Sequence, residues 1–153
     1  GTPFSASTSE AYGAVGAGKK QTSVNHQRVH DMIRFKLLLW LLEKLLKRAI
    51  SQKPACAAYV RGKTLTLQIC SVDGIGRYYT IRNGGITSAA GIAPKADFSM
   101  TFSSAAAGFR ILSAKDSKGA FLAGLHDKEL NLSGDFVEIM WFQGLTEFLQ
   151  PGK

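Results

Sequence analysis

The sequence predicts an α+β fold: a five-stranded, mainly antiparallel sheet covered by helices and preceded by a long amphipathic helix. Three observations predict it. Residues 26–55 hold the strongest helical period in the chain, residues 64–103 break into four short runs separated by turn residues, and the rest alternates helical patterns with one more strand. With 153 residues, 45% apolar and 20% charged, the chain suits one core-forming domain rather than a disordered polymer.

Residues 1–25 are rich in Gly, Ser, Ala and Thr and show no sustained period, so a flexible tail is expected there, in part a remnant of a cleavage site. The next segment, through residue 55, is the basic amphipathic helix. Ile33, Leu37, Trp40 and Leu41 follow the i, i+4, i+7, i+8 spacing of one helix face, from which Lys44 and Arg48 then depart. Arg34, Lys36, Glu43, Lys47 and Arg48 occupy the remaining faces, and Glu43 and Lys47 form an i,i+4 pair of favourable orientation. The longest uninterrupted apolar run, 37–42, is far short of the ~20 residues that cross a bilayer. This helix either packs on the domain or a second copy, or lies on a membrane surface. Pro54 closes it.

The character then changes. Residues 64–70 (TLTLQIC) alternate, placing Leu65, Leu67 and Ile69 on one face of a half-buried strand. A turn (VDGIG) leads to a second strand, RYYTIR, and Asn83-Gly84-Gly85 is hairpin chemistry because Asn and Gly accept positive φ. A weaker strand over 86–93 follows, then 96–103 (ADFSMTFS), with Phe98, Met100 and Phe102 sharing a face. Four strands in succession imply an antiparallel meander. Ser103 or Ser104 can cap a helix reaching about Ala114, and a second short helix follows Asp116. Residues 129–133 (ELNLS) make the last strand. Asp135 then caps a final helix, with Glu138 three residues on as in a capping box, and Pro151-Gly152 stop it.

The net charge of +8 is unevenly spread: nine Lys/Arg face three Asp/Glu over residues 1–55, but ten face eight over 56–153. A nucleic-acid binder more often carries its excess on the folded core among exposed aromatics, so no nucleic-acid partner is expected. A basic excess on a greasy helix fits an anionic membrane surface, with Arg34, Lys36, Trp40, Lys44, Lys47 and Arg48 as contacts to membrane or partner; a solvated, solubilising face is the alternative. Cys56 and Cys70 have no second pair, which excludes a disulfide scaffold and a zinc spacing. No secretory leader is visible, and the expected location is the cytoplasm or a membrane periphery.

Motifs of catalysis are near misses. Residues 13–20 (GAVGAGKK) approach a phosphate-binding loop, but Lys20 stands where the magnesium-holding hydroxyl belongs and no strand precedes it. His26 and His30 are four apart, yet Gln27 replaces the general-base Glu of a zinc motif and no third ligand is evident, so no metal is expected. No nucleophile elbow is present, His126 lies in a polar connection, and the carboxylates are dispersed. No catalytic residue and no cofactor is expected.

Large, soft apolar residues crowd the C-terminal half instead. Phenylalanine and methionine line adaptable pockets, though the same residues also build ordinary cores.

The order of segments over residues 59–149 resembles the sterol carrier protein 2 (SCP2) family. The resemblance is carried by the alternating strand 64–69, by YYTIRNGGI over 78–86, by Ala96-Asp97-Phe98-Ser99-Met100-Thr101-Phe102 leading into a helix, and by Leu130-Asn131-Leu132-Ser133-Gly134-Asp135 before the last helix. Lys118-Gly119-Ala120-Phe121 approximates a further family signature. The resemblance implies an SCP2-like lipid-binding domain over 56–153: a five-stranded sheet under helices, an apolar tunnel and no catalysis. The expected function is binding and transfer of a lipid, sterol or isoprenoid-like ligand, with a homodimer through residues 27–50 as a possible further use of the helix. Phe98, Met100 and Phe102, with Phe109 and Leu112, are expected to line the tunnel, together with Phe121, Leu125, Leu132, Met140 and Phe148. The alternative is an interaction module, or an accessory subunit of a lipid- or quinone-modifying complex.

Overall fold

A computed structural model describes the backbone of residues 2–150 and the side chains from Asn25 onward. The expected tail therefore lies, but for Asn25, outside the described side chains. The first helix, α1 (Thr2–Gln52), is followed by α2 (Pro54–Val60), β1 (Leu65–Ser71), β2 (Gly76–Arg82), β3 (Gly85–Ala90) and β4 (Phe98–Phe102). Then come α3 (Ala105–Leu112), α4 (Ser117–His126), β5 (Leu130–Gly134) and α5 (Phe136–Thr146), closed by a 3-10 turn (Glu147–Leu149).

Pro54 does more than end the first helix. It forces the preceding Lys53 into extended backbone (φ −114°, ψ 108°) and then serves as the first residue of α2, where its missing N–H costs nothing. Lys53 Nζ donates to Phe148 O at 2.5 Å, tying this corner to the C-terminal turn.

The sheet order is β3-β2-β1-β4-β5. The first three strands form the expected meander, with Asn83 (φ 55°) and Gly84 (φ 76°) as the two left-handed residues of its second turn. The fourth strand departs from it. After β3 the chain crosses the sheet, and β4 pairs with β1 in parallel, giving a mixed sheet whose remaining pairs are antiparallel. The crossover at 91–97 is held by a side chain: Gln68 Oε1 accepts from Ala93 N at 2.6 Å, and Gln68 Nε2 donates to Gly91 O at 3.1 Å. Gln68 is 3% exposed although it points away from the helices. A polar residue in the middle of an alternating strand therefore marks where the connection passes. Asp97 fastens its far end, donating through its N–H to Thr66 O (2.7 Å) and accepting from Thr66 N (2.8 Å).

The register places Leu65, Leu67, Ile69, Tyr79, Ile81, Ile86, Phe98, Met100, Phe102 and Leu130 on one face, and all are buried there. The helices cover this face: α1 over β2 and β3, α5 over β4, and α4 at β5, with α3 packed on α1 and α4. Two of the sequence motifs have structural duties. Gly134 (φ 110°) lets the end of β5 approach Asp97, whose carbonyl accepts from Asp135 N at 3.0 Å. Asp135 Oδ1 then caps α5 by accepting from Val137 N at 3.0 Å. Glu138 does not complete a capping box; it pairs with Lys63 at 2.7 Å instead. Ser104, of the two candidates, caps α3, and Asp116 caps α4.

Candidate apolar ligand site

The ten residues expected to line a tunnel fall into five groups. Phe98, Met100 and Phe102 stand side by side on the helix-facing side of β4 and are closed over: Phe142 lies against Phe98 (5.9 Å between ring centres), and Phe35 meets Phe102 edge-on at 5.9 Å. Phe121 and Leu125 on α4, and Leu132 on β5, are half-buried around the outer margin of that floor. Phe109 and Leu112 sit on α3, also half-buried, and the Arg34 guanidinium lies 5.9 Å above the Phe109 ring. Phe148 belongs elsewhere, edge-on to Tyr59 at 5.6 Å beside α2. Met140 is 50% exposed on the outside of α5 and does not join the floor.

α4 packs chiefly on α3 and β5, whereas α5 packs on β4, α2 and the closing turn, so the two helices share little contact with each other. A tether joins their ends, with Gln150 Nε2 donating to Ser117 Oγ at 2.8 Å. Along α5, Trp141 stacks on Tyr59 of α2 (5.0 Å) while Tyr59 Oη donates to Trp141 O at 2.6 Å. Phe136 and Met140, by helical spacing, lie on the opposite flank and are exposed, as is Leu122 of α4. The half-covered residues of α4 and β5 are thus rimmed by exposed apolar ones.

The opposite end of the helical layer is polar and closed. Glu43 of α1, expected on the surface with Lys47, is 5% exposed and accepts from Ser88 Oγ of β3 at 2.6 Å. Ser88 Oγ in turn accepts from Arg77 Nε at 2.7 Å. Lys44 and Lys47 lie 3.1 and 3.7 Å from Glu43. Burial by itself pushes this carboxyl up, but the hydrogen bonds from Ser88 and Lys44 and the charges of Lys47 and Lys44 outweigh it and hold Glu43 below the usual range. Tyr79 Oη donates to Leu39 O at 2.6 Å, and burial pushes its phenol well up.

These contacts correct the reading of α1. Its inward residues are Phe35, Leu39, Leu46 and Ala49, not the Ile33–Leu37–Trp40–Leu41 stripe, whose members are 59%, 61%, 45% and 40% exposed. The helix is apolar nearly all round over 37–42, so periodicity could not choose between faces; the partners Ser88 and Tyr79 do. Glu43 was the one available signal, a lone carboxylate within a greasy run.

Lys36 and Arg48 are exposed, Arg48 bonding only within α1, to Gln52. His26 and His30 are exposed, their rings 6.5 Å apart, and no group of three or more His, Cys, Asp or Glu among the described residues could hold a metal ion. Burial pushes the Cys56 thiol up, the wrong direction for a nucleophile, with Lys53 opposing weakly. A surface cleft of about 320 Å3 between α3 and α4 is lined mainly by apolar surface from Ile111, Ala114, Ala120, Ala123 and Gly124, with the Arg110–Glu129 ion pair (2.5 Å) and Asp127 also on its wall.

No protein-family model matches the chain, and no curated protein matches it closely enough to count. Solved structures do. UbiJ-SCP2, a ubiquinone synthesis protein, superposes with a TM-score of 0.53 at 17% identity, covering 74% of this chain and 91% of that one. Sterol carrier protein 2 from Yarrowia lipolytica in its apo form gives 0.47 at 13% identity over 72% and 91% of the two chains. A conserved hypothetical protein from Thermus thermophilus gives 0.45 at 17% identity over 68% and 78%. The chain has an SCP2-like α+β fold.

Proposed function

We propose that the domain binds a lipid or isoprenoid-like molecule without chemically converting it, and that the ligand enters between α4 and α5. The observation that carries this reading is the half-covered apolar margin formed by Phe121, Leu125 and Leu132, beside which these two helices share little contact with each other. Parting the helices would extend the margin inward over Phe98 and Met100, a floor of soft side chains that can reshape around a tail. At about 25 cal/mol per Å2, burying about 300 Å2 of ligand contributes about 7 kcal/mol before association costs, so affinity needs no charged anchor. A polyisoprenoid quinone is the ligand to try first, because the similar UbiJ-SCP2 structure is of a ubiquinone synthesis protein.

Native mass spectrometry after gentle purification, with uptake of a fluorescent fatty acid in parallel, tests the reading. Lipid-laden protein and saturable uptake are expected. Leu125→Trp and Leu132→Trp, which fill the margin, should each abolish uptake while far-ultraviolet circular dichroism stays unchanged. Protein that carries no lipid and takes none up would sink the proposal.

A further inference from the structure

Ser71 is the one polar residue on the helix-facing side of β1. Leu65, Leu67 and Ile69 point under the helices, and alternation carries Ser71, 4% exposed, to the same side. Its backbone is satisfied: the N–H donates to Ile75 O at 2.8 Å, and the carbonyl accepts from Gly74 N at 3.0 Å. Its hydroxyl is not. Among the described residues, Ser71 Oγ is the only buried side-chain polar atom that bonds to no group of the protein. Buried hydroxyls are nearly always paired, because the bond to water given up on burial has to be replaced. Gln68, buried on the other side of the same strand, shows the usual case, with both amide atoms bonded to the crossover.

Position gives the unpaired hydroxyl a use. β1 and β4 run parallel, with Ser71 beside Phe102, Ile69 beside Met100 and Leu67 beside Phe98. On the other side of β4, Leu132 of the margin stands beside Met100. From Leu132 to Ser71 is thus two strands across and two residues along, about 12 Å by ordinary strand spacings. A ligand that enters at the margin and advances over Met100 brings its leading end toward Ser71. The inward side chains on that path are apolar, so Ser71 is the first group there that tells an oxygen from a methyl.

Charge selects the kind of oxygen. The inward residues of β1 and β4 include no cation. Asp73, two residues past Ser71, places a carboxylate at the same end of the sheet, where it accepts from Ala105 N at 3.2 Å. An ionised head would be buried there uncompensated. A neutral carbonyl or hydroxyl oxygen meets no such cost, and the Ser71 O–H can donate to it.

We propose that Ser71 anchors the leading end of the ligand, so that the site takes neutral lipids bearing a carbonyl or hydroxyl oxygen head first, and fatty acids tail first. The anchor rests on the lipid-binding reading above and adds direction and selectivity to it.

The test sets two probes against each other on the delipidated full chain: cis-parinaric acid, a fluorescent fatty acid, by direct titration, and decylubiquinone, a neutral quinone, by its displacement. Ser71→Ala should lower the preference for decylubiquinone over cis-parinaric acid at least about fivefold, as the loss of one neutral hydrogen bond predicts. The infrared carbonyl band of bound decylubiquinone should lie lower in wild type than in Ser71→Ala. Lipid-free Ser71→Ala should melt no lower than wild type, because the hydroxyl has no protein partner to lose. An unchanged preference with an unchanged carbonyl band would overturn the anchor and leave the apolar site standing. A lipid-free Ser71→Ala protein that melts lower, again with unchanged preference, would assign the hydroxyl to a buried water instead. Wild-type protein that binds neither probe would remove the lipid-binding reading and the anchor with it.

Discussion

Replacing Gly108 with alanine sets two effects of opposite sign against each other, and the structure decides which wins. Gly108 lies inside α3, so a methyl group would ordinarily stabilise the helix by about 1 kcal/mol. Here a Cβ would stand 2.5 Å from Phe35 Cε1, 2.9 Å from Cζ and 3.0 Å from Cδ1. The Phe35 ring has nowhere to retreat: it is 0% exposed and meets Phe102, also 0% exposed, edge-on. Overpacking of this kind costs about 1–3 kcal/mol, so the expected net loss reaches about 2 kcal/mol. For a chain of this size that lowers Tm by up to roughly 8 °C. Thermal and urea melts measure it, and Phe35→Leu supplies the cycle. Shortening the ring should relieve the methyl group, leaving the double variant more stable than the sum of the single effects by at least about 0.5 kcal/mol. A Gly108→Ala protein that melts higher than wild type, with strictly additive Phe35→Leu, would show that α1 and α3 do not cross this closely and refute the reasoning.

Three further outcomes follow from the same packing. Glu43 is held below the ordinary value of 4.5, so its advantage over Glu43→Gln should be full above about pH 4.5 and fade as pH falls through the lower folded value; urea melts across that range measure it. Gly134→Ala should cost about 3 kcal/mol or more, because φ is 110° and a Cβ would meet backbone at Asp97 O (2.4 Å) and Phe98 Cα (2.6 Å); Gly84→Ala, at φ 76° in open space, should cost about 1–2 kcal/mol, and equal losses in parallel melts would contradict this. Tyr79→Phe should lose about 1 kcal/mol with the bond to Leu39 O, and a neutral result in urea melts would mean that the bond adds nothing.

Much of the fold was legible because its signals are local. Alternation in β1 and β4, the positive-φ pair Asn83-Gly84, the caps Ser104, Asp116 and Asp135, and the break at Pro54 depend on neighbours a few residues away. The crossover was not legible. A meander and a parallel return require the same short strands, and only the seating of Gln68 against residues 91–93 separates them. Of the candidate lining, Phe98, Met100 and Phe102 share a strand face by simple alternation, so their grouping could be read directly. Met140 could not be placed, because α5 carries large apolar residues around most of its circumference and no period distinguishes its flanks; Phe148 lies beyond α5 in the closing 3-10 turn, where the helical period no longer applies.

The sequence by itself determined the elements, their order and an SCP2-like plan, since backbone propensity and short-range pattern suffice for these. Tertiary structure alone decided which side of α1 faces inward. Its apolar residues run almost completely round the helix, so the hydrophobic effect, being non-directional, leaves the rotation nearly free. The directional bonds settle it: Ser88 donates to Glu43 and Tyr79 to Leu39 O, and they turn the stripe with the clearest period out of the core.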